Sequence, residues 1–392
     1  MKRNLIAFVL IAMGFFALYA LTAQRGLGWG DSGEFQYRVL HCTGVLSGCD
    51  SFATAHPLYV ALAKAVCRTP FHITLLSAFF GALAVAGFHL CSRNLGMTVA
   101  FGLAHAMWWM SCVAEVYTMS LAFMAFETFF LLQYLRKRTF GWLVALVFLN
   151  GLHCTLHNLA LLSLGVYAAV LLLRRREVGF AAWTVETLAA IGAWMAGASF
   201  WLHAALTRGV ADVLVGGYGK QALGFLPANT TVTAFNLALS AMSFFAPLAV
   251  WWWSRHPRKG HPPVGAGPSL GWPVTALLVL HFVFFVRYFI VSQFTFVLPS
   301  VFFAYLLASR FALGRERAIP LAVLQVLIPL MACQLLQMVP VPSWRSGHKY
   351  RNEATYFALP WKFNDDSADR CAAEVEGPWK GYWDCSGKEK GL

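Results

Sequence analysis

Charge is what this sequence has least of. Only 12% of its 392 residues are Asp, Glu, Lys or Arg, with 17 acids against 30 bases; a soluble globular domain carries about twice that share. With 59% apolar residues gathered in long runs rather than at amphipathic spacing, so little charge excludes a water-solvated domain and points to a polytopic membrane protein. No repeat of solenoid period is visible. A phosphate-binding loop is also lacking: in Gly216-Gly217-Tyr218-Gly219-Lys220, Leu214 occupies the place of the first glycine and Gln221 that of the Ser or Thr.

Apolar runs lie near residues 5–23, 71–91, 97–113, 116–135, 140–156, 158–173, 180–206, 234–253, 272–291, 294–310 and 318–338. They predict an all-α bundle of roughly eleven transmembrane helices of ~20 residues, since helices satisfy their own backbone in lipid. The formal charge of +13 does not mark a nucleic-acid partner, and none is expected. The bases sit in short loops, at Lys2-Arg3, Arg136 to Arg138, Arg174 to Arg176, Arg255 to Lys259 and Arg310 to Arg317. With these spans every cluster falls on one side, which the positive-inside rule makes cytoplasmic. The N-terminus is then cytoplasmic, the first apolar run an uncleaved signal anchor, and the Pro/Gly-rich connector 254–271 cytoplasmic. Residues 24–70, Ala114-Glu115, loop 207–233, the turn near Arg287 and the tail 339–392 lie outside. Residues 1–338 are expected to form the membrane domain, with 339–392 a short exoplasmic tail.

Among nine cysteines, Cys42 and Cys49 share the first outer loop, and Cys371 and Cys385 share the tail. In an oxidising compartment each pair can close a disulfide; free thiols are the alternative. Cys91, Cys112, Cys154 and Cys333 read as small apolar residues in the membrane. Asn229-Thr230-Thr231 matches a glycosylation sequon and is taken as chance.

The stretch GWGDSGEFQYRVL puts Asp31 and Glu34 where the chain leaves the bilayer. A capping box accounts for them without chemistry: Asp31 as N-cap and Glu34 three residues on, opening an interfacial helix with Phe35 and Val39 on its apolar side. A second interfacial helix is expected to open at Pro57 and run towards Arg68. His56, Glu115 and Arg287 belong to the same outer surface, however. Carboxylates, a His and an Arg meeting there suit group transfer from a lipid-linked phosphate, a carboxylate deprotonating the attacking hydroxyl and a cation stabilising the departing phosphate. Glu127 and Glu186, inside spans, support instead a lipid or solute transporter. His153 and His157, four apart, read as polar packing. A non-catalytic scaffold of an envelope assembly is a third reading.

DSGEF, AHPLY, LLSAFFGALAVA, AEVYTMSLAF and FTFVLPSVFFAYLLA together resemble the GT-C type membrane glycosyltransferases. The resemblance is to a largely bacterial branch, formerly a domain of unknown function, whose animal relatives are protein O-mannosyltransferases. It implies a many-helix membrane fold, and an inverting transfer of mannose or a similar hexose from a polyprenyl-phosphate donor to a protein or glycan hydroxyl on the exoplasmic face. It also implies a bacterial inner membrane. Asp31 matches the general base, Glu34 and Glu115 the further acids, and His56, Tyr59 and Tyr117 the substrate-binding residues of their motifs. Arg287 is placed by position alone. No cofactor is required on this reading, although facing carboxylates are compatible with a divalent metal. Three departures stand out: AHPLY is shorter than the proline-rich form of that motif, residues 153–158 read HCTLHN rather than in Asn-His order, and Ser292-Gln293 stands where an acid is expected. The chain also lacks a large soluble domain, so a partner protein is expected to help handle the acceptor.

Overall fold

The computed structural model describes residues 2–46, 51–214, 216, 230–255, 271–289, 293–311, 315–338 and 350–374. Cys49, Gly217 to Lys220, Asn229, most of the connector, Ser292 and Cys385 lie outside the described residues. Every regular element among the described residues is helical, as the apolar runs predict. The first part of the chain forms α1 (Lys2–Thr22), α2 (Asp31–His41), α3 (Pro57–Val66), α4 (Pro70–Ser92), α5 (Leu95–Gly102), α6 (His105–Ser111), α7 (Tyr117–Lys137), α8 (Phe140–Leu156) and α9 (Leu159–Val178). It continues through α10 (Phe180–Gly197), α11 (Ser199–Arg208), α12 (Val210–Leu214), α13 (Thr230–Ser243), α14 (Phe245–Arg255), α15 (Gly271–Arg287), α16 (Leu298–Ala308) and α17 (Arg315–Gln337). The tail adds α18 (Glu353–Ala358) and α19 (Ser367–Glu374).

Where the structure describes them, the eleven apolar runs fall mostly on helix, but not as eleven straight spans. Among the described residues four helices are long and apolar enough to cross a membrane alone, and two bent pairs raise this to six. The run 180–206 is α10 and α11, bent by 73°, and 234–253 is α13 and α14, bent by 54°. The run 97–113 breaks at Leu103-Ala104 into α5 and α6. A break at membrane depth strands backbone groups, which must find partners inside the protein. Here Tyr19 Oη donates to the Gly102 carbonyl at 2.7 Å, and the Ala106 N–H donates to Ser243 Oγ at 2.9 Å.

Helix starts follow local chemistry. Thr69 caps α4 by accepting the His72 N–H, with Pro70 in the first turn, and Asn94 caps α5 through the Met97 N–H. Close crossings use glycine: a Cβ on Gly151 would lie 2.3 Å from the Trp194 carbonyl, and one on Gly197 2.2 Å from that of Phe148, so α8 and α10 touch backbone to backbone. Large apolar side chains on α1 (Leu5, Leu10, Met13) and α10 (Val185, Leu188) face outward, as lipid-facing surfaces do.

Side-chain contacts define two ends of the bundle. At one end Arg138 pairs with Glu177 at 3.0 Å and Arg174 with Glu177 at 2.7 Å, joining two basic clusters of the short loops. At the other end lie α2, α3, the α6–α7 turn and the α8–α9 turn. Residues of the tail pack on that same end: the Lys362 N–H bonds the Thr22 carbonyl at 2.7 Å, and Trp109 Nε1 that of Tyr356 at 2.9 Å. Cys371 is disulfide-bonded. Cys42 carries a free thiol.

Candidate active site

Helix α2 starts differently from a capping box. Its N-cap is Gly30, at φ 61° and ψ −132°, and no side chain caps the helix. A side chain at Gly30 would be strained in this left-handed conformation, and glycine moves the helix start one residue back. Asp31 is therefore the first helical residue rather than the cap, and the Glu34 N–H bonds the Gly30 carbonyl at 3.1 Å. Among the described residues the Asp31 carboxylate has no hydrogen-bond partner, so its capping duty disappears. Both acids are partly buried in the first turn, where the helix dipole favours negative charge.

The segment before and after α2 is tightly held. Gln36 accepts the Gly28 N–H at 2.8 Å and donates to the Gly26 carbonyl at 3.2 Å. Arg38, buried at 1% exposure, donates to the carbonyls of Ala55 at 2.7 Å and Val45 at 3.1 Å. A buried guanidinium spanning α2 and the α3 approach fixes how Asp31 is presented to His56.

Glu115 lies in the turn between α6 and α7 and is 5% exposed. Ser77 of α4 clamps its backbone from both sides, accepting the Glu115 N–H and donating to the Glu115 carbonyl, each at 2.9 Å. Ser32, between the two α2 acids, donates to Glu115 Oε1 at 3.3 Å. Oε2 has no hydrogen-bond partner among the described residues. Burial, and then the charge of Asp31, push the Glu115 carboxyl well above the ordinary carboxylate range. Asp31 and Glu115, far apart in sequence, are thus coupled in one site.

His56 stands at the N-cap of α3 with φ 46° and ψ 54°, a costly conformation for a non-glycine residue. Its Nδ1 lies 2.9 Å from the Leu156 carbonyl. A carbonyl only accepts, so Nδ1 carries the proton and Nε2 offers a lone pair. The His157 ring stacks on it at 5.0 Å with the opposite tautomer, because His157 Nδ1 accepts the Leu159 N–H at 3.1 Å and Nε2 is then the donor. Burial lowers His56 to about 4 and holds His157 well below the usual histidine value. Both rings are neutral, one an acceptor and one a donor.

Tyr117 closes the cluster, with its ring 5.4 Å from His157 and 5.2 Å from Phe296. Tyr59 is fully buried and meets Ser77 Oγ at 3.5 Å, supporting Glu115 from behind. Arg287 ends α15, its guanidinium 5.8 Å from the Phe289 ring. Its chain neighbour Tyr288 reaches the cluster, with its ring 4.8 Å from that of Phe296. Gln293, where the resemblance led one to expect an acid, bonds the Phe285 carbonyl at 2.8 Å and steadies this corner.

The structure therefore brings Asp31, Glu115, His56 and Tyr117 together, with Glu34 one turn along α2 and Arg287 at the flank. Ser32, Arg38, Ser77 and His157 were missed by sequence reasoning. For Ser32, its position within DSGE was the available signal; His157 was assigned to polar packing, which fits His153 alone. His153 donates to or accepts from Ser120 at 2.6 Å and bonds Glu127 at 2.7 Å. Glu127 also takes Tyr167 Oη at 2.9 Å and Asn150 Nδ2 at 3.1 Å, tying α7, α8 and α9. Glu186 lies 3.5 Å from Arg174. The two intramembrane acids that suggested a transporter are thus engaged with protein partners. No three metal-ligating side chains come together at metal-binding spacing among the described residues.

Residues 91–179 match the family described as protein O-mannosyl-transferase TMEM260 N-terminal domain, a segment that contains Glu115, Tyr117, Glu127 and both histidines of HCTLHN. Comparison with curated proteins gives no match. Among solved structures the chain is similar to ArnT from Cupriavidus metallidurans bound to undecaprenyl phosphate, with a TM-score of 0.59 at 16% identity over 88% of this chain. The chain spans 66% of that structure's length. The protein has the GT-C membrane fold, as the motifs implied.

Proposed function

We propose that the protein is a polyprenyl-phosphate-dependent glycosyltransferase of the exoplasmic face, transferring mannose or a similar hexose to a hydroxyl by one inverting displacement. The observation that carries this reading is the approach of Asp31 to Glu115 at the end of the bundle that also holds two neutral histidines of opposite tautomer. Likeness to the O-mannosyltransferase family supports the reaction class, and the undecaprenyl phosphate of the similar ArnT structure supports the lipid.

Asp31 takes the proton of the acceptor hydroxyl as its oxygen attacks the anomeric carbon. The bond from that carbon to the phosphate oxygen breaks, and the electron pair leaves with the lipid phosphate. Arg287 neutralises the charge that develops on the phosphate, while protonated Glu115 and the His157 Nε2–H supply hydrogen bonds at the reacting centre. The His56 lone pair and Glu34 orient the acceptor. Tyr59, Ser77 and Arg38 act as positioning residues. Placing this face outside puts the basic loops in the cytoplasm, with the N-terminus inside and the tail outside a bacterial inner membrane.

The test is transfer from a panel of polyprenyl-phosphate hexoses by protein in nanodiscs, with wild type beside Asp31→Asn. The variant is expected to stay folded and lose ~10²–10⁴-fold in rate, the usual worth of a general base. Wild-type turnover in the variant would remove Asp31 from this role.

A further inference from the structure

The tail builds a cleft that the proposed chemistry does not use. Its residues grip the loop that presents Asp31: Trp29 Nε1 donates to Ser367 Oγ at 2.7 Å, and the Leu27 N–H to the Asp369 carboxylate at 3.2 Å. A Cβ on Gly26 would lie 1.9 Å from that carboxylate, so the fit leaves no slack. Beside this contact is a cleft of about 330 Å³, at the small end of ordinary ligand sites.

The lining indicates the ligand class. Rings of Tyr350 and Trp361 meet the side chains of Asn352, Asn364, Asp365 and Arg370. All three cations of the lining are taken up by the protein, Arg370 by Asp366 at 3.0 Å and the Tyr350 carbonyl at 3.3 Å. Lys362 donates to the carbonyls of Tyr356 and Leu359 and lies over the Trp109 ring, and Arg351 lies 5.1 Å from Trp29 and 4.8 Å from Tyr356. A phosphate or acidic peptide would call for uncommitted positive charge, whereas each base lining this cleft is engaged by an acid, a carbonyl or an aromatic ring. The amides of Asn352 and Asn364, with the Asp366–Arg370 pair beside them, offer neighbouring donors and acceptors that match adjacent hydroxyls, and aromatic faces match the apolar faces of a pyranose. A neutral saccharide has both features.

We propose that this cleft binds a saccharide acceptor, so that the sugar is transferred to a glycan hydroxyl rather than to a protein side chain. This rests on the glycosyltransferase reading above. Trp29, bonded to Ser367 of the cleft, is two residues from Asp31, and so the same loop holds the acceptor cleft and the general base.

The full chain in nanodiscs is tested for binding of mannobiose, cellobiose and diacetylchitobiose by saturation-transfer NMR, and separately for transfer and for slow hydrolysis of the donor by water. Trp361→Ala is expected to weaken binding of at least one disaccharide by tenfold or more and to raise the acceptor KM, with donor KM and donor hydrolysis unchanged. Because Trp361 also packs on Trp108 at 5.6 Å, the exposed Asn364→Ala serves as a second variant, with a smaller loss expected in the same direction. Binding of no disaccharide, or binding indifferent to both variants, overturns the proposal. A raised donor KM overturns it too, by giving the cleft to the donor sugar. A wild type that binds disaccharide but neither transfers nor hydrolyses any donor sinks the glycosyltransferase reading and leaves a saccharide site.

Discussion

Replacing Glu115 by glutamine probes the site through a group whose protonation state follows from its surroundings. The native carboxyl keeps its proton into the range where an ordinary carboxyl is ionised, chiefly because it is buried and secondly because Asp31 is charged. Glutamine is nearly isosteric and neutral. Its carbonyl oxygen still accepts from Ser32, now 3.3 Å from Oε1, its amide supplies a donor, and the Ser77 clamp on the backbone is untouched. Near pH 4.5 the variant should match wild type within ~0.5 kcal/mol. Above that pH the unfolded chain loses the Glu115 proton while the native state keeps it, so the native state binds more protons and wild-type stability falls as pH rises. The fall is about 1.4 kcal/mol per pH unit until the native carboxyl itself ionises. Glutamine abolishes this slope, and the variant's advantage in Tm should open near pH 4.5 and widen upward. Thermal melts in nanodiscs from pH 4.5 to 8.5 read it directly. Transfer should stay within ~10-fold of wild type, whereas Glu115→Ala should lose ~10²–10³-fold, the worth of a preorganised donor. A glutamine variant less stable than wild type at pH 8 would refute the reasoning, since it would mean that the fold holds the carboxyl ionised.

Other expectations follow from the same geometry. Ser77→Ala strips two buried backbone groups of their partner and should cost about 2–4 kcal/mol, lowering kcat with little change in donor KM; unchanged melting and kcat would deny Ser77 its clamp. His153→Leu leaves the buried Glu127 short of one partner and should destabilise by about 3–5 kcal/mol while sparing turnover in whatever protein folds, measured per folded molecule. With His56 lowered to about 4 by burial, its ¹⁵N ring signals should remain those of a neutral imidazole from pH 7 down to about 5 and change only near 4; protonation near 6.5 would show the ring to be solvated. Activity should survive a chelator, because the proposed displacement assigns charge stabilisation to Arg287, Glu115 and His157; complete loss restored by a divalent ion would show that the carboxylates hold a metal.

Two buried carboxyls show how packing decides a residue's work. Glu127 receives three hydrogen-bond partners from α8 and α9 and serves the bundle as a clamp. Glu115 has one weak side-chain donor and one oxygen without a partner among the described residues. Hydrogen-bond demand satisfied within the protein makes structure, and demand left unmet in a buried carboxyl marks a functional-site candidate.

The sequence by itself determined the class of the protein, a many-helix membrane fold. Apolar runs, Pro57, Pro70, Thr69 and Asn94 specify helices locally, and the bases in short loops sort the two faces, because these signals act within a few residues of the chain. Tertiary structure decided everything that depends on distant partners. Asp31 looks like a cap in DSGE, yet Gly30 takes that place once the loop is pinned by Gln36 and the tail. Ser77 and Ser32 reach Glu115 only when α2, α4 and the α6–α7 turn meet, and His157 parts from His153 because α8 ends between them. Two residues four apart on a helix share a face in the sequence pattern, but the helix terminus turned one ring into the site and left the other in the bundle.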